Sequence, residues 1–122
     1  MLNVVVFESD KWLADILVEE FTKAGYRPTW FEYPPVNVTD AVTAVGPALI
    51  TMDIVMRDMD GFQATYLIKQ DPRIKDVPLV FYSNLSTKEN IERGSALGAK
   101  HYFVKSRTSP PDLVRESLAF VR

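Results

Sequence analysis

The sequence predicts an α/β domain with a parallel sheet that is covered by helices on both faces. Short apolar runs alternate with segments whose apolar residues recur at helical spacing, and this alternation occurs five times in 122 residues. The apolar runs are nearly continuous, as expected of strands that are buried on both faces. Glycine or proline stands between most segments and ends them. A chain of this length predicts one domain, residues 1–122.

The first half of the chain supplies three predicted strands and two predicted helices. Residues 1–7 form a β-branched run and predict a buried strand. Residues 10–26 follow with apolar residues at helical spacing, and Gly25 ends that helix. Residues 27–33 predict a strand near the edge of the sheet, because Pro28 cannot donate a backbone hydrogen bond to a neighbour. A short helix and the third strand complete this half, at residues 38–46 and 48–52.

The second half supplies three predicted helices and two predicted strands. They alternate, beginning with a helix, at residues 61–70, 78–83, 86–98, 101–105 and 109–122. Two prolines in residues 71–78 separate the third helix from the fourth strand. Ser86 and Glu89 predict a capping box at the start of the fourth helix. Ser109 is the predicted N-cap of the last helix, with Pro110 at its first position.

Composition excludes several classes of function. The chain has no cysteine, so it forms no disulfide and no thiolate metal site, which suits a cytoplasmic protein. Its apolar runs are too short to span a bilayer, and no signal peptide opens it. The formal net charge is −2 and there is no basic run, so we expect this domain to bind neither nucleic acid nor membrane.

Polar and charged side chains stand at the carboxyl ends of four predicted strands. These residues are Glu8, Ser9, Asp10, Asp53, Ser83, Asn84 and Lys105. In an open parallel sheet such ends meet at one edge, where ligands bind. Carboxylates brought together there need a cation, which Lys105 or a hard divalent ion such as Mg²⁺ can supply. The alternative for single residues is structural: Ser9 or Asp10 could cap the first helix, and Asp58 and Asp60 are expected in the turn before the third.

Four segments in order resemble the response-regulator receiver domain, and the resemblance covers the whole chain. The segments are NVVVFESD, ALITMDIVMRDMDG, DPRIKDVPLVFYSN and ALGAKHYFVKS. The resemblance implies a flavodoxin-like (βα)₅ sheet with strand order 2-1-3-4-5 and a role in two-component signalling rather than an enzyme activity. It also implies that Asp53 accepts a phosphoryl group from a histidine kinase or a histidine phosphotransfer protein.

The resemblance implies a Mg²⁺ site at the phosphoacceptor. Glu8, Asp53 and the backbone carbonyl of Val55 match its ligands, and Asp10 is a further candidate whose side chain is expected to point elsewhere. Ser9 stands where the family usually has a second acid. Because a neutral hydroxyl is a poorer Mg²⁺ ligand than a carboxylate, we predict weakened Mg²⁺ affinity and slower phosphorylation.

The remaining family roles concern the phosphoryl group and the response to it. Lys105 matches the lysine that pairs with the phosphoryl oxygens, and Ser83 matches the residue that moves to bond them. Tyr102 matches the aromatic residue that swings inward on modification. Ser106 replaces a proline that usually follows a cis bond, so we expect a trans bond and an altered reach of Lys105. Arg57 replaces a second proline and is expected to change only loop stiffness and surface charge.

Two alternatives to a working receiver remain open. A pseudo-receiver would keep the fold and bind partners without phosphorylation. Against the other alternative, a small flavodoxin-like enzyme or nucleotide binder, no Gly-rich phosphate loop follows the first strand. For a receiver, the resemblance implies a downstream protein target or a self-dimer on the face formed by the fourth helix, fifth strand and fifth helix. Among the other residues, His101 is expected at the surface, and Trp12 and Trp30 are expected to be partly buried packing residues.

Overall fold

The computed structural model describes residues 1–121 and confirms the predicted flavodoxin-like α/β fold. Five parallel strands lie in the order β2-β1-β3-β4-β5. The strands are β1 (Asn3–Phe7), β2 (Arg27–Phe31), β3 (Pro47–Met52), β4 (Leu79–Ser83) and β5 (His101–Val104). The helices are α1 (Lys11–Lys23), α2 (Val38–Val45), α3 (Gly61–Gln70), α4 (Lys88–Ala96) and α5 (Pro110–Leu118). Within residues 1–121, no helix has the length and apolar character needed to cross a membrane.

Two hydrophobic clusters, one on each face of the sheet, account for the continuous apolar runs. Alternate residues of β1 serve the two faces, because successive side chains of a strand point in opposite directions. Val5 and Phe7 pack in one cluster with residues of α2 and α3, while Val4 and Val6 pack in the other with residues of α1 and α5. The central strands are therefore apolar at most positions, with buried Thr51 in β3 and Tyr82 in β4 as exceptions, and the acids and the lysine lie just beyond the strand ends.

The predicted element ends are correct to within a few residues, with one wrong helix cap. Thr87, rather than Ser86, caps α4 and accepts a hydrogen bond from the backbone N–H of Asn90. Ser109 caps α5 as predicted. That helix ends at Leu118, earlier than the predicted span of 109–122, and Arg122 lies outside the described residues.

Trp12 is not the partly buried packing residue that helical spacing predicted. Its exposed fraction is 83 %, whereas Leu17 and Phe21 on the same helix are buried. At 3.6 residues per turn, Trp12 is rotated about 140° from Leu17 around α1 and points away from the sheet. Trp30 is partly buried as predicted, and its indole N–H donates to the carbonyl oxygen of Glu8 at 2.8 Å.

The start of α3 is held close to the end of β3. Asp60 caps α3 in a capping box with Gln63, and Asp58 adopts a positive φ of 68° in the turn before it. The first residue of the helix is Gly61, and a Cβ atom there would overlap the carbonyl oxygen of Asp53. Only glycine permits this close approach, so α3 begins directly against the backbone of Asp53.

Gly61→Ala is therefore expected to lower the free energy of unfolding by about 1–3 kcal/mol, because the added methyl group meets rigid backbone. Chemical denaturation followed by circular dichroism measures the change. Gln70→Ala at the exposed other end of α3 is the control, and it should alter stability by less than about 0.5 kcal/mol. Equal stability of the two variants would contradict the close approach.

Candidate functional site

The predicted site residues at the ends of β1, β3, β4 and β5 come together at one edge of the sheet. Strands β1 and β3 are neighbours, and the backbone N–H of Asp53 donates to the carbonyl of Phe7, the residue before Glu8, at 3.0 Å. Strands β4 and β5 are neighbours, and the backbone N–H of Lys105 donates to the carbonyl of Ser83 at 2.9 Å. The sheet register thus places the acids beside each other and the ammonium group within reach of them.

The carboxylate of Asp53 is buried and fully engaged by donors. Its Oδ2 accepts from the hydroxyl of Ser9 at 2.8 Å, the backbone N–H of Ser9 at 3.3 Å and Nζ of Lys105 at 3.3 Å. Its Oδ1 accepts from the backbone N–H of Ile54 at 2.8 Å. Four donors satisfy a carboxylate that is only 4 % exposed, as burial of a charged group demands.

Glu8 shares the ammonium group of Lys105 with Asp53. Its Oε2 lies 2.9 Å from Nζ of Lys105 and accepts from the backbone N–H of Asp10 at 3.1 Å. Burial, and to a smaller extent the charge of Asp53, raises the pKa of Glu8 from its ordinary value of 4.5 to about 7, although Lys105 opposes the shift. A single ammonium therefore compensates two adjacent carboxylates, and protonation of Glu8 near neutral pH relieves the remaining repulsion.

The oxygen atoms at this edge are of the kind that binds a magnesium ion, and the predicted loss of affinity remains a prediction. Mg²⁺ is commonly held by one or two carboxylates together with water and substrate phosphate, and Glu8 and Asp53 supply two carboxylates. No group of three acidic, histidine or cysteine side chains suited to a metal occurs within residues 1–121, and Ser9 offers a neutral hydroxyl beside Asp53. The donor set fits the ion, but it carries one negative charge fewer than a site with an acid at position 9 would.

Two further candidates for metal binding lie at the margin of this cluster. Asp10 directs Oδ1 to the backbone N–H of Trp12, 3.0 Å away, and caps α1, which was one of the two structural alternatives. Val55 lies in the loop after Asp53 with its side chain 65 % exposed. The role of its carbonyl as a ligand remains a prediction, as does that of Asp10.

Ser83 and Tyr102 are joined through the loop after β4. The hydroxyl of Ser83 accepts from the backbone N–H of Leu85 at 3.2 Å, and the hydroxyl of Tyr102 donates to the carbonyl of Leu85. The ring of Tyr102 packs on that of Phe81, with 5.7 Å between centroids. Tyr102 is thus already packed against the core without any modification, and its inward movement on modification remains a prediction.

The substituted positions around the site keep the ammonium group in place. No cis peptide bond occurs in residues 1–121, so the bond between Lys105 and Ser106 is trans, and Lys105 still reaches both acids. Arg57 does more than alter loop stiffness and charge: its guanidinium lies 3.9 Å from the centroid of the Tyr33 ring. This cation–π contact ties the loop after β3 to the loop after β2.

Sequence reasoning missed two contributors to the site. It identified Ser9 as a lost acid or a possible helix cap, whereas the Ser9 hydroxyl is a direct hydrogen-bond donor to Asp53. It assigned no role to Tyr82, whereas that side chain is buried and its hydroxyl donates to the carbonyl of Thr108 at 2.7 Å. The centroid of the Tyr82 ring lies 5.8 Å from Nζ of Lys105. The available signal for a buried Tyr82 was its place at the end of the continuous apolar run of β4, directly before Ser83.

Comparisons with known proteins agree with this arrangement. The family described as "Response regulator receiver domain" matches residues 4–116. Chemotaxis protein CheY of Treponema pallidum is 30 % identical over 105 residues, covering 84 % of this chain and 72 % of that protein. Transcriptional regulatory protein YvrH of Bacillus subtilis is 27 % identical over 103 residues, which are 84 % of this chain but only 42 % of that protein. The crystal structure of Vibrio cholerae chemotaxis protein CheY4 has a TM-score of 0.87 at 18 % identity, covering 99 % of both chains.

The chain spans less than half of the length of several curated relatives that it matches. It covers 42 % of YvrH, and 14 % and 18 % of two other relatives. What those longer proteins do beyond the shared region therefore says nothing of this chain.

The wild-type protein is expected to lose stability as the pH rises, and Glu8→Gln is expected to remove this dependence. Because the pKa of Glu8 is higher in the folded protein (about 7) than its ordinary value of 4.5, the folded state binds this proton more tightly. The free energy of unfolding of the wild type should therefore decrease between pH 4.5 and 7, by about 1–3 kcal/mol.

Urea unfolding at pH 5 and pH 8, without divalent cations, measures this difference in the two proteins. Glu116→Gln, at an exposed position of α5, is the matched control and should keep the wild-type pH dependence. The same fall in the Glu8→Gln protein would show that another group causes it.

Proposed function

The chain belongs to the response regulator receiver domain family, and from this premise we propose that Asp53 is the phosphoacceptor of a working receiver in two-component signalling. The observation that carries the proposal is the contact of the buried Asp53 carboxylate with Nζ of Lys105 at 3.3 Å, at the carboxyl edge of the sheet. A nucleophilic oxygen and a fixed positive charge stand together at the edge where open parallel sheets bind their ligands.

Phosphoryl transfer requires positioning and charge neutralisation more than covalent help from the protein. An oxygen of Asp53 forms the new P–O bond while the P–N bond to the histidine of the donor breaks, and the donor imidazole takes up a proton. Lys105, which contacts the Asp53 carboxylate, would then bind the transferred oxygens in its place. Glu8, Asp53 and the carbonyl of Val55 would hold Mg²⁺, which supplies further positive charge to those oxygens when bound.

Ser9 moderates the chemistry of this site. Its hydroxyl donates to Asp53 Oδ2 at 2.8 Å, so this oxygen must exchange that bond before it attacks phosphorus or binds a metal. With two carboxylates rather than three, the affinity for Mg²⁺ is lower, and so is the rate of phosphorylation that depends on it.

The response to modification would run through Ser83. Phosphorylation adds acceptor oxygens and about −1.5 to −2 of charge near its hydroxyl. Ser83 would then give up its contact with the Leu85 N–H and donate to the phosphoryl group, and this shifts the loop that Tyr102 also holds. The face formed by α4, β5 and α5 changes with that loop. Its partner is a downstream protein or a second copy of the chain.

A pseudo-receiver that binds its partner without phosphorylation is the second candidate function. The observation that favours it is the position of Tyr102, whose hydroxyl already donates to Leu85 in the unmodified protein. A chain that already has this arrangement depends less on the added charge of a phosphoryl group to present its binding face. The two candidates differ in whether Asp53 takes up a phosphoryl group.

Incubation with acetyl phosphate and Mg²⁺ tests the proposal directly. Intact mass spectrometry is expected to detect one phosphoryl group on the wild type and none on Asp53→Asn, because the amide is not a nucleophile. Asp58→Asn is the matched control: it changes an exposed acid in the adjacent loop, and asparagine tolerates its positive φ.

The control is expected to accept phosphoryl as readily as the wild type. No adduct on the wild type, or one that persists in Asp53→Asn, would end the working-receiver proposal. Binding to the partner that is equal for wild type and Asp53→Asn would support the pseudo-receiver instead.

Ser9→Asp is expected to raise Mg²⁺ affinity by roughly tenfold and to speed phosphorylation by acetyl phosphate, because a third carboxylate adds charge to the metal site. Quenching of tryptophan fluorescence on Mg²⁺ titration measures the affinity, since Trp30 donates to the carbonyl of Glu8. Ser9→Asn, polar but neutral, is the control and should give no gain. Equal effects of the two substitutions would show that charge at this position does not limit metal binding.

A further inference from the structure

A cavity of about 480 Å³ opens between α3, the loop before it and α4. Its lining includes Met59, Phe62, Tyr66, Leu67, Arg93 and Leu97. The volume lies within the range of about 300–1,000 Å³ that is typical of small-molecule sites. None of these residues takes part in the cluster around Asp53, so the cavity is separate from the proposed phosphorylation site.

Apolar side chains of this cavity remain exposed although the core is close by. Phe62 is 4 % exposed and forms the base, whereas Tyr66 and Leu67 on the next turn of α3 are 54 % and 39 % exposed. Burying such side chains under a ligand would remove apolar surface from water, which favours binding. The grouping around a concavity, rather than the exposure of any one residue, is what points to a ligand.

The cavity lining contains one cation, Arg93, that has no acidic partner within residues 1–121. The Arg93 guanidinium lies 4.3 Å from the centroid of the Phe62 ring. It pairs with no carboxylate of residues 1–121, in contrast to Arg73 and Arg115, which each have an acidic partner. Asp58 also lines the cavity, but its carboxylate already lies 3.9 Å from the guanidinium of Arg57. The donors of Arg93 are therefore available to a ligand.

We infer that this cavity binds a small aromatic anion. The ring packs against Tyr66, Leu67 and Leu97, and the sulfur of Met59 adds a favourable contact with its edge. The anionic group accepts a bidentate pair of hydrogen bonds from Arg93, whose planar donors match carboxylate, sulfonate or phosphate oxygens. Since Phe62 holds the guanidinium by a cation–π contact, the donor group is already oriented and loses little freedom on binding.

A small ligand suits these features better than a protein partner does. The one uncompensated charge stands beside a concave apolar wall, and both belong to the same cavity. One compact amphipathic molecule can satisfy both, whereas a stable protein interface buries about 800 Å² on each partner and requires far more surface than the cavity offers.

The dye 8-anilinonaphthalene-1-sulfonate is a suitable probe, because it combines an aromatic system with one anionic group. It is titrated into the unmodified protein without phosphodonor or Mg²⁺, so the result does not depend on the chemistry of Asp53. Saturable fluorescence enhancement is expected, with amide chemical-shift changes concentrated at Phe62, Tyr66 and Leu97. Arg93→Gln should weaken binding about tenfold, as loss of a charge-assisted hydrogen bond predicts.

Two comparisons complete the experiment. Arg115→Gln on α5 is the matched control and should bind the dye as the wild type does. The neutral analogue N-phenyl-1-naphthylamine should bind the wild type and Arg93→Gln equally. The inference is overturned if Arg93→Gln binds the dye as tightly as the wild type, or if the shifts lie elsewhere. It is also overturned if the chain self-associates through this cavity, in a manner abolished by Leu67→Glu, and thereby excludes the dye.

Discussion

Two buried carboxylates at adjacent strand ends, sharing one ammonium group, are the constraint from which the chemistry of this domain follows. Glu8 and Asp53 are brought together by the register of β1 and β3, so they cannot separate without disturbing the sheet. Lys105 reaches both from β5, at 2.9 and 3.3 Å. Because its charge can compensate only one acid fully, the edge of the sheet keeps an affinity for further positive charge and for protons.

The elements around this cluster are connected to the loop after β4 by packing contacts rather than by charged groups. Gly61 lets α3 begin against the backbone of Asp53, and the next residue, Phe62, lies 5.5 Å from Phe81 between ring centroids. Phe81 in turn packs on Tyr102, whose hydroxyl holds the loop after β4. A continuous aromatic row therefore runs from the helix beside the acidic cluster to the face formed by α4 and β5. A displacement of the loop after β4 would therefore also displace the aromatic rings that are packed against it.

The sequence predicted the strands and the polar residues at their ends because both depend on strong, local signals. Continuous apolar runs define buried strands, and polarity at their carboxyl ends then has only one edge of the sheet to occupy. Finer features depend on competition that no local pattern resolves. Ser86 and Thr87 are both good caps, and the path of the loop decides between them. Trp12 has helical spacing, yet the rotation of α1 turns it to solvent. The Ser9 hydroxyl bonds Asp53 only because two distant strands are adjacent.

In the proposed function, serine at position 9 in place of an acid alters the stage at which the site requires a metal ion. At rest, two carboxylates and one ammonium leave at most one formal negative charge, and partial protonation of Glu8 near pH 7 reduces it further. The Ser9 hydroxyl and three other donors satisfy Asp53 without any ion. A phosphoryl group brings about −1.5 to −2 of charge, which Lys105 alone cannot balance. A third acid would make a cation necessary in both states. Under the proposed function, serine in its place means that the requirement for Mg²⁺ arises mainly when the phosphoryl group arrives, and we expect the ion to be recruited with the transferred phosphate rather than held in advance.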